Sequence, residues 1–474
     1  MKKTTVLLLC FALIMGMLGG CGQKQKAAEP VTLTVWNYYT GTQLEAFNAL
    51  VDAFNQTRGK ELGITVEASS EGSVKDLESN VLAAARKDVG AKEVPNIFAA
   101  YSDTAHTIDQ MGLVADISEY FTPEEKAEYI DSYLLEGDLD SNGSIKIFPI
   151  AKATEIFMLN ATDWQKFANA TGAQLENLAT MEGVVSTAEA YYHWTDSLTD
   201  TPDDGKAFFG RDAMANYILV GAKQLGVELI SRDENGEPVL NFPKNVVRKL
   251  WDHYYVPFIK GYFSAIGRFR TDDVKTGNLI GFVGSSSSAA FFPKEVIMSD
   301  EQSYPIEHIV LTAPRFAGGK SYAIQQGAGM VVTKGEENVV RACVEFLKWF
   351  TDTQYNIGFS LASSYMPVKK EANDMDMIRK YVTDEGSLTE ALETSIETIQ
   401  TNTMYTPVAT ANGAKVRSIL EYAMSDQAVA DLAQIDQRVA QGESREEAIA
   451  QYETDAYFDA WYEATKAKLE AEFQ

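Results

Sequence analysis

The sequence predicts an α/β fold with parallel sheet, shared between two large domains. From residue 31 onward, alternating apolar runs and helically spaced ones follow in the order strand, helix, strand, helix, strand. That order is the pattern of a parallel sheet with helical crossovers. The chain has 474 residues, too many for one ordinary core and enough for two. An apolar fraction of 45% with 22 tyrosines marks a globular chain, since disordered chains are poor in both.

Val31-Thr32-Leu33-Thr34-Val35-Trp36 alternates and is β-branched, so it reads as the first strand. Residues 37–41 turn the chain. Leu44, Phe47, Leu50, Val51 and Phe54 recur at helical spacing. Residues 64–67 form a second strand, 74–87 a second helix and 95–100 a third strand, followed by a helix through Met111. Residues 156–159 read as a strand leading into a helix-rich region. A hairpin turn is expected at 233–236 and an amphipathic stretch at 246–258. Residues 278–283 form a buried strand that runs into Gly284-Ser285-Ser286-Ser287-Ser288. Further strands are expected at 308–312 and 329–333, and a strongly patterned helix at 339–350. The remainder is mainly helical, with a loop at 403–413.

Lys2 and Lys3 precede an apolar run over residues 6–18. This is a charged n-region with an h-region, the form of an export signal. The run is shorter than the roughly 20 apolar residues of a spanning helix. It ends in Leu18-Gly19-Gly20-Cys21, which resembles a bacterial lipobox. The resemblance implies a signal peptide at 1–20, a lipid on the Cys21 thiol and a polar tether at 21–29. The expected location is the outer face of the bacterial cytoplasmic membrane.

A formal net charge of −26 repels nucleic-acid phosphates and anionic headgroups, so no nucleic-acid partner is expected. Of three cysteines, Cys10 leaves with the signal and Cys21 takes the lipid. Cys343 has no partner left. The histidines 106, 193, 253 and 308 are too far apart for zinc spacing, and no metal or cofactor is expected. Residues 138–143 open like a calcium loop, but Pro149 stands where a bidentate Glu is needed. A tight hairpin turn at Ser141-Asn142-Gly143 is the better reading. Gly318-Gly319-Lys320-Ser321 ends like a P-loop, yet Pro314 occupies the first glycine position. The serine run lacks a Gly-x-Ser-x-Gly elbow. Enzymatic function is not expected.

Several landmarks recur in a family's order. They are Trp36-Asn37-Tyr38-Tyr39 after the first strand, and Val94-Pro95-Asn96-Ile97-Phe98 followed by Met111-Gly112-Leu113-Val114-Ala115-Asp116. Then come Phe148-Pro149-Ile150 up to Leu159-Asn160, Lys275-Thr276-Gly277 through Ser288, and Pro314 to Lys320 followed by 327–332 and 342–350. The chain resembles the extracellular solute-binding proteins of ABC importers, in the maltose-binding-like branch. The resemblance implies a periplasmic-binding-protein type II fold: two α/β lobes with a hinge and a central ligand cleft. Lobe 1 would take 30–150 plus 284–335, and lobe 2 would take 151–283 plus 336–474. The expected partners are a small-molecule ligand and the transmembrane subunits of an ABC permease, met as a monomer.

Ligands of open α/β sheets bind beyond the carboxyl ends of strands. That rule selects Trp36, Tyr38 and Tyr39, then Tyr101, Ser102 and Asp103, then Ser285 and Ser286. Family positions add Lys152, Thr154, Gly327 with Ala328, and Tyr365. Aromatic rings stack on sugar faces, while Asp and Ser bond hydroxyls. Trp36 suits the core and the site equally. A sugar or oligosaccharide is the first ligand expected. Glycerol-3-phosphate or another phosphorylated polyol is the second, because members that bind it are similar at the serine loop, at 152–154 and at Gly327. Those members also use an arginine in a late loop, and residues 406–413 contain none. A ligand-sensing receptor for a membrane signalling partner would share the same fold.

Overall fold

The computed structural model describes residues 30–299, 301–382 and 387–473. The expected signal peptide, Cys21 and the tether lie outside them.

The first sheet has the order Gly329–Val332, Ile97–Ala100, Val31–Asn37, Ile64–Ser70. Val31–Asn37 runs parallel to both neighbours, and Gly329–Val332 closes the edge antiparallel. The crossovers are the helices Gly41–Gln56 and Val74–Arg86, which bury Phe47, Val51 and Phe54, and Leu77 and Val81. A capping box between Ser73 and Asp76 starts the second helix by satisfying two otherwise orphaned N–H groups. Ile97–Ala100 is buried throughout, as a strand covered on both faces must be.

The second sheet has the order His308–Thr312, Glu155–Asn160, Gly281–Ser285, Phe209–Arg211. Only its last pair is parallel. Glu155–Asn160 enters from the other lobe, whereas both its neighbours end where it begins, with Ser285 opposite Glu155 and Thr312 opposite Ile156. The expectation of parallel sheet therefore holds for the first three strands, while the first sheet gains an antiparallel edge and the second sheet is mostly antiparallel.

Core packing follows the sheets. One cluster joins Leu33 through Ala153 with Met330, Phe346, Phe350, Phe359 and Tyr365. Another joins Phe157 through Val283 with Phe316, Ile324, Tyr405 and the C-terminal helices to Leu469. Residues 308–324 thus belong with the second lobe, and 337–350 with the first. The resemblance-based boundaries assigned these segments the other way round. The strand Gly329–Val332 carries the chain back into the first sheet, and the helix Glu337–Phe350 packs there, with Phe346 against Phe54 and Phe350 against Phe47.

Two further readings change. The stretch 246–258 forms two helices, Lys244–Asp252 and Tyr255–Ile259. Residues 138–144 form no hairpin. Asp138 accepts from the backbone N–H groups of Asn142, Gly143 and Ser144, and Asp140 pairs with Lys146 at 2.7 Å. The loop is thus organised by its own carboxylate.

Between the lobes, Ala153 bridges to Gln326, Lys152 bridges to Met366, and Tyr322–Ile324 pairs with Thr403–Tyr405. Lys152 is completely buried. Its Nζ pairs with Glu136 and donates to the Gly327 carbonyl at 2.8 Å. Glu136 also accepts from Gln325 Nε2 at 2.6 Å. Gly327 has φ +87°, and a Cβ there would meet the Ala151 carbonyl oxygen at 3.0 Å. Removing one partner of a buried ion pair strands the other charge, at a cost of about 3–5 kcal/mol. Glu136→Ala should therefore cost about 3 kcal/mol of stability by denaturant unfolding, and adding Lys152→Met should restore much of the loss. Equal losses for the single and double variants would contradict the pairing.

Candidate functional site: the cleft between the lobes

A cavity of about 340 Å³ opens between the two bodies. One wall comes from the carboxyl ends of Val31–Asn37 and Ile97–Ala100, through Tyr38, Tyr101 and Asp103, with Glu78 beside them. The facing wall comes from Asn216 and from Arg417, which sits in the helix Gly413–Ala440. Gln325 and Gln326, at the chain crossing, also line it.

Strand alternation and the turn after Asn37 decide which aromatics face the cleft. Asn37 Oδ1 accepts from the Tyr39 N–H at 3.0 Å. Tyr39 turns inward onto Phe47 and Phe359, and Tyr38 is left on the cavity side. The Tyr38 hydroxyl lies 3.4 Å from the Tyr365 hydroxyl and accepts from the Ala328 N–H at 3.4 Å. Burial, then the neighbouring Tyr365 and Tyr101, push its ionisation well up. The phenol is therefore a neutral donor at any physiological pH. Tyr101 keeps 39% of its surface exposed, so its ring offers a free face.

Polar groups surround these rings. The Oε1 atoms of Gln325 and Gln326, both lining the cavity, are buried with no hydrogen-bond partner among the described residues. A buried polar atom without a partner costs about 1–3 kcal/mol, which a donor-rich ligand would offset. Arg417 Nη2 donates to Asn216 Oδ1 at 2.7 Å. Asn216 Nδ2 donates to Glu155 Oε1 at 3.0 Å, and Glu155 Oε2 accepts from Arg211 Nη2 at 2.8 Å. Both ends of the Asn216 amide are thus tied to charged partners, which orients Arg417. Asp103 Oδ1 accepts from the Thr410 N–H of the opposite wall at 3.2 Å. Burial raises its carboxyl to about 6, opposed by the Thr410 N–H and Arg417 and helped by Glu78.

The sequence model of the family described as bacterial extracellular solute-binding protein matches residues 49–384. The chain belongs to that family. Its members are binding proteins rather than enzymes. Among curated proteins no significant sequence match is found. Solved structures share the fold at low identity. A cyclic alpha-maltosyl-1,6-maltose binding protein from Arthrobacter globiformis has 17% identity and a TM-score of 0.68, covering 94% of this chain and 99% of that one. UgpB from Mycobacterium tuberculosis, in complex with glycerophosphocholine, has 16% identity and a TM-score of 0.66, covering 94% and 100%. The MalE maltose/maltodextrin-binding domain from Bdellovibrio bacteriovorus, bound to maltotriose, has 13% identity and a TM-score of 0.62, covering 93% and 99%. The two-lobed type II architecture is therefore that of this solute-binding protein too.

In the solute-binding protein the cleft gathers Tyr38, Tyr101, Ser102, Asp103 and Ala328 from the sequence-selected residues. Trp36 is 6% exposed and lies under Lys92, and Tyr39 is a core ring. Lys152 is spent on Glu136. Thr154 donates to the Ile324 carbonyl at 2.8 Å and faces a second cavity of about 290 Å³ inside the second lobe. Ser285 pairs with Ser287 at 3.1 Å, Ser286 turns toward the Ser364 carbonyl, and neither lines the cleft. Gly327 shapes the crossing, and Tyr365 stands behind Tyr38. Cys21 lies outside the described residues. Glu78, Asn216, Gln325, Gln326 and Arg417 were not selected. Arg417 stands one helical turn beyond Gly413, just past the loop in which an arginine was sought. No helix among the described residues is long and apolar enough to cross a membrane.

Asp103 gives a pH signature. Its raised carboxyl means the folded chain holds that proton more tightly than the unfolded chain, so its contribution to stability falls as pH rises from about 4 to about 6. His106, one turn further along the helix Ser102–Gln110, is pushed down by burial and then by Arg232. It adds the opposite slope, which cancels between wild type and Asp103→Asn. The wild-type Tm should fall relative to that variant across this window and then level off. A pH-independent difference would contradict the burial of Asp103.

Proposed function

We propose that the chain is the capture receptor of an ABC importer. It would take a sugar or oligosaccharide between its lobes and deliver it to the transmembrane subunits of the permease as a monomer. The observation that carries this is one cleft with the exposed Tyr101 ring, the Asp103 carboxylate and unpartnered glutamine carbonyls. Sugar rings present apolar faces edged by hydroxyls, and these groups match both features. The maltose-type ligands of structural relatives support the class.

A phosphorylated polyol is the second reading. Arg417 favours it, because a guanidinium can grip phosphate bidentately, and a relative of the same fold holds glycerophosphocholine. Glu78 and Asp103 on the facing wall oppose a second negative charge, so a neutral sugar ranks first. Anchoring through a lipid on Cys21 would keep the receptor beside its permease at the outer membrane face. Cys21→Ser should release the protein from the membrane fraction, and a protein that stays membrane-bound would count against the anchor.

Calorimetric titration of the chain from Pro30 onward against mono- and oligosaccharides and glycerol-3-phosphate separates the two ligands. Sugar binding is expected. With that sugar, Tyr101→Ala should weaken affinity about tenfold, in line with one aromatic stacking contact of about 1–1.5 kcal/mol. Trp36→Phe should leave affinity unchanged. Silence across the sugar panel with a clear glycerol-3-phosphate signal would reverse the ranking.

A further inference from the structure

We propose that Gly413 is the notch that lets the two lobes close. It seats the Asp103 side chain against the first turn of the helix Gly413–Ala440, and any larger residue there props the cleft open.

The two residues belong to different bodies. Asp103 lies in the helix Ser102–Gln110, whose Ala105 and Ile108 pack into the first-lobe core. Gly413 starts a 28-residue helix whose Val416 and Leu420 pack into the second-lobe core. A Cβ at position 413 would lie 1.9 Å from Asp103 Oδ1, 2.1 Å from Cγ and 2.6 Å from Oδ2. All three nearest atoms are thus one side chain of the opposite lobe. Gly413 is not among the residues with positive φ, so its own backbone accepts a side chain. Glycine in a helix is also less favourable than alanine by up to about 1 kcal/mol. What demands glycine is the approach of Asp103, whose carboxyl would have to leave its bond to the Thr410 N–H to make room for a Cβ.

The helix end gives the carboxylate a reason to sit there. Asn412 makes no side-chain cap; its Nδ2 donates instead to the Glu472 carbonyl at 3.0 Å. The positive dipole end of the helix favours a carboxylate, and the Thr410 N–H, in the loop just before it, reaches Asp103 at 3.2 Å. Arg417 attracts Asp103 from the same helix, while Glu78 opposes its charge from Val74–Arg86. Closure and affinity are linked, because a receptor that is competent only when closed binds in proportion to its closed fraction. Only this last consequence rests on the proposed receptor function.

The test is a spin-label distance between Ser79→Cys and Ser418→Cys, two exposed positions on helices of opposite lobes. It uses the chain from Pro30 onward, which contains both cores and leaves Cys343 as a buried thiol. Wild type should show a short-distance population that Gly413→Ala removes without lowering the Tm. Asp103→Ala should keep it, and combining Asp103→Ala with Gly413→Ala should bring it back. Asp103→Glu, which lengthens the other side of the contact, should open the cleft as Gly413→Ala does. Identical distributions for wild type and Gly413→Ala would overturn the notch, as would a double variant as open as Gly413→Ala alone. The cycle is read without added ligand, so a silent sugar panel would count against the receptor reading and leave the notch standing.

Discussion

The buried pair of Lys152 and Glu136 is the contact on which the two-lobed arrangement depends. An ammonium held away from water must be paired and must find acceptors for its remaining N–H groups. Lys152 finds its counter-charge and a further acceptor on separated segments: Glu136 follows the first-lobe helix Asp131–Leu135, and the Gly327 carbonyl belongs to the return crossing. Glu136 then holds Gln325. One charge pair therefore ties the outgoing and returning chains together. It fixes the floor from which Gln325 and Gln326 face the cleft.

From that floor the walls follow. The first lobe presents strand ends and the second presents helix ends, so the cleft is lined by rings on one side and by Asn216 and Arg417 on the other. Neither wall alone offers both the stacking face and the charge-oriented donors. A ligand that touches both gains differential affinity for the closed form, which is the thermodynamic requirement for ligand-driven closure. Asp103 stands where the walls meet. It is a first-lobe carboxylate that reaches the second-lobe backbone, and its burial makes it sensitive to what else enters the cleft.

The first lobe was largely legible in the sequence. Alternation at 31–36 and helical spacing at 44–55 and 74–87 describe elements whose burial is set by local periodicity. The strand-end rule likewise reached Tyr38, Tyr101 and Asp103. It could not separate Tyr38 from Tyr39, because the turn through Asn37, a side-chain-to-backbone hydrogen bond, decides which ring faces the core. Lys152 looked like a ligand cation because its partner stands 16 residues away, on a segment with no patterned link to it. The lobe boundaries went astray for a related reason: only strand pairing reveals that His308–Thr312 joins the second sheet beside Glu155–Asn160, and only packing reveals that Glu337–Phe350 returns to the first core. Asn216 and Arg417 sit on helices whose apolar residues dominate the pattern, and no periodic signal marks a single polar residue turned toward a partner lobe.

Hydrogen exchange across the whole chain, with and without a bound ligand, tests most directly whether binding joins two walls over a pinned hinge. Protection should rise together at 101–110 in the first lobe and at 410–420 in the second. Residues 150–154 and 324–327 should exchange slowly in both states. Protection confined to one lobe, or a hinge that exchanges freely until ligand is added, would contradict it.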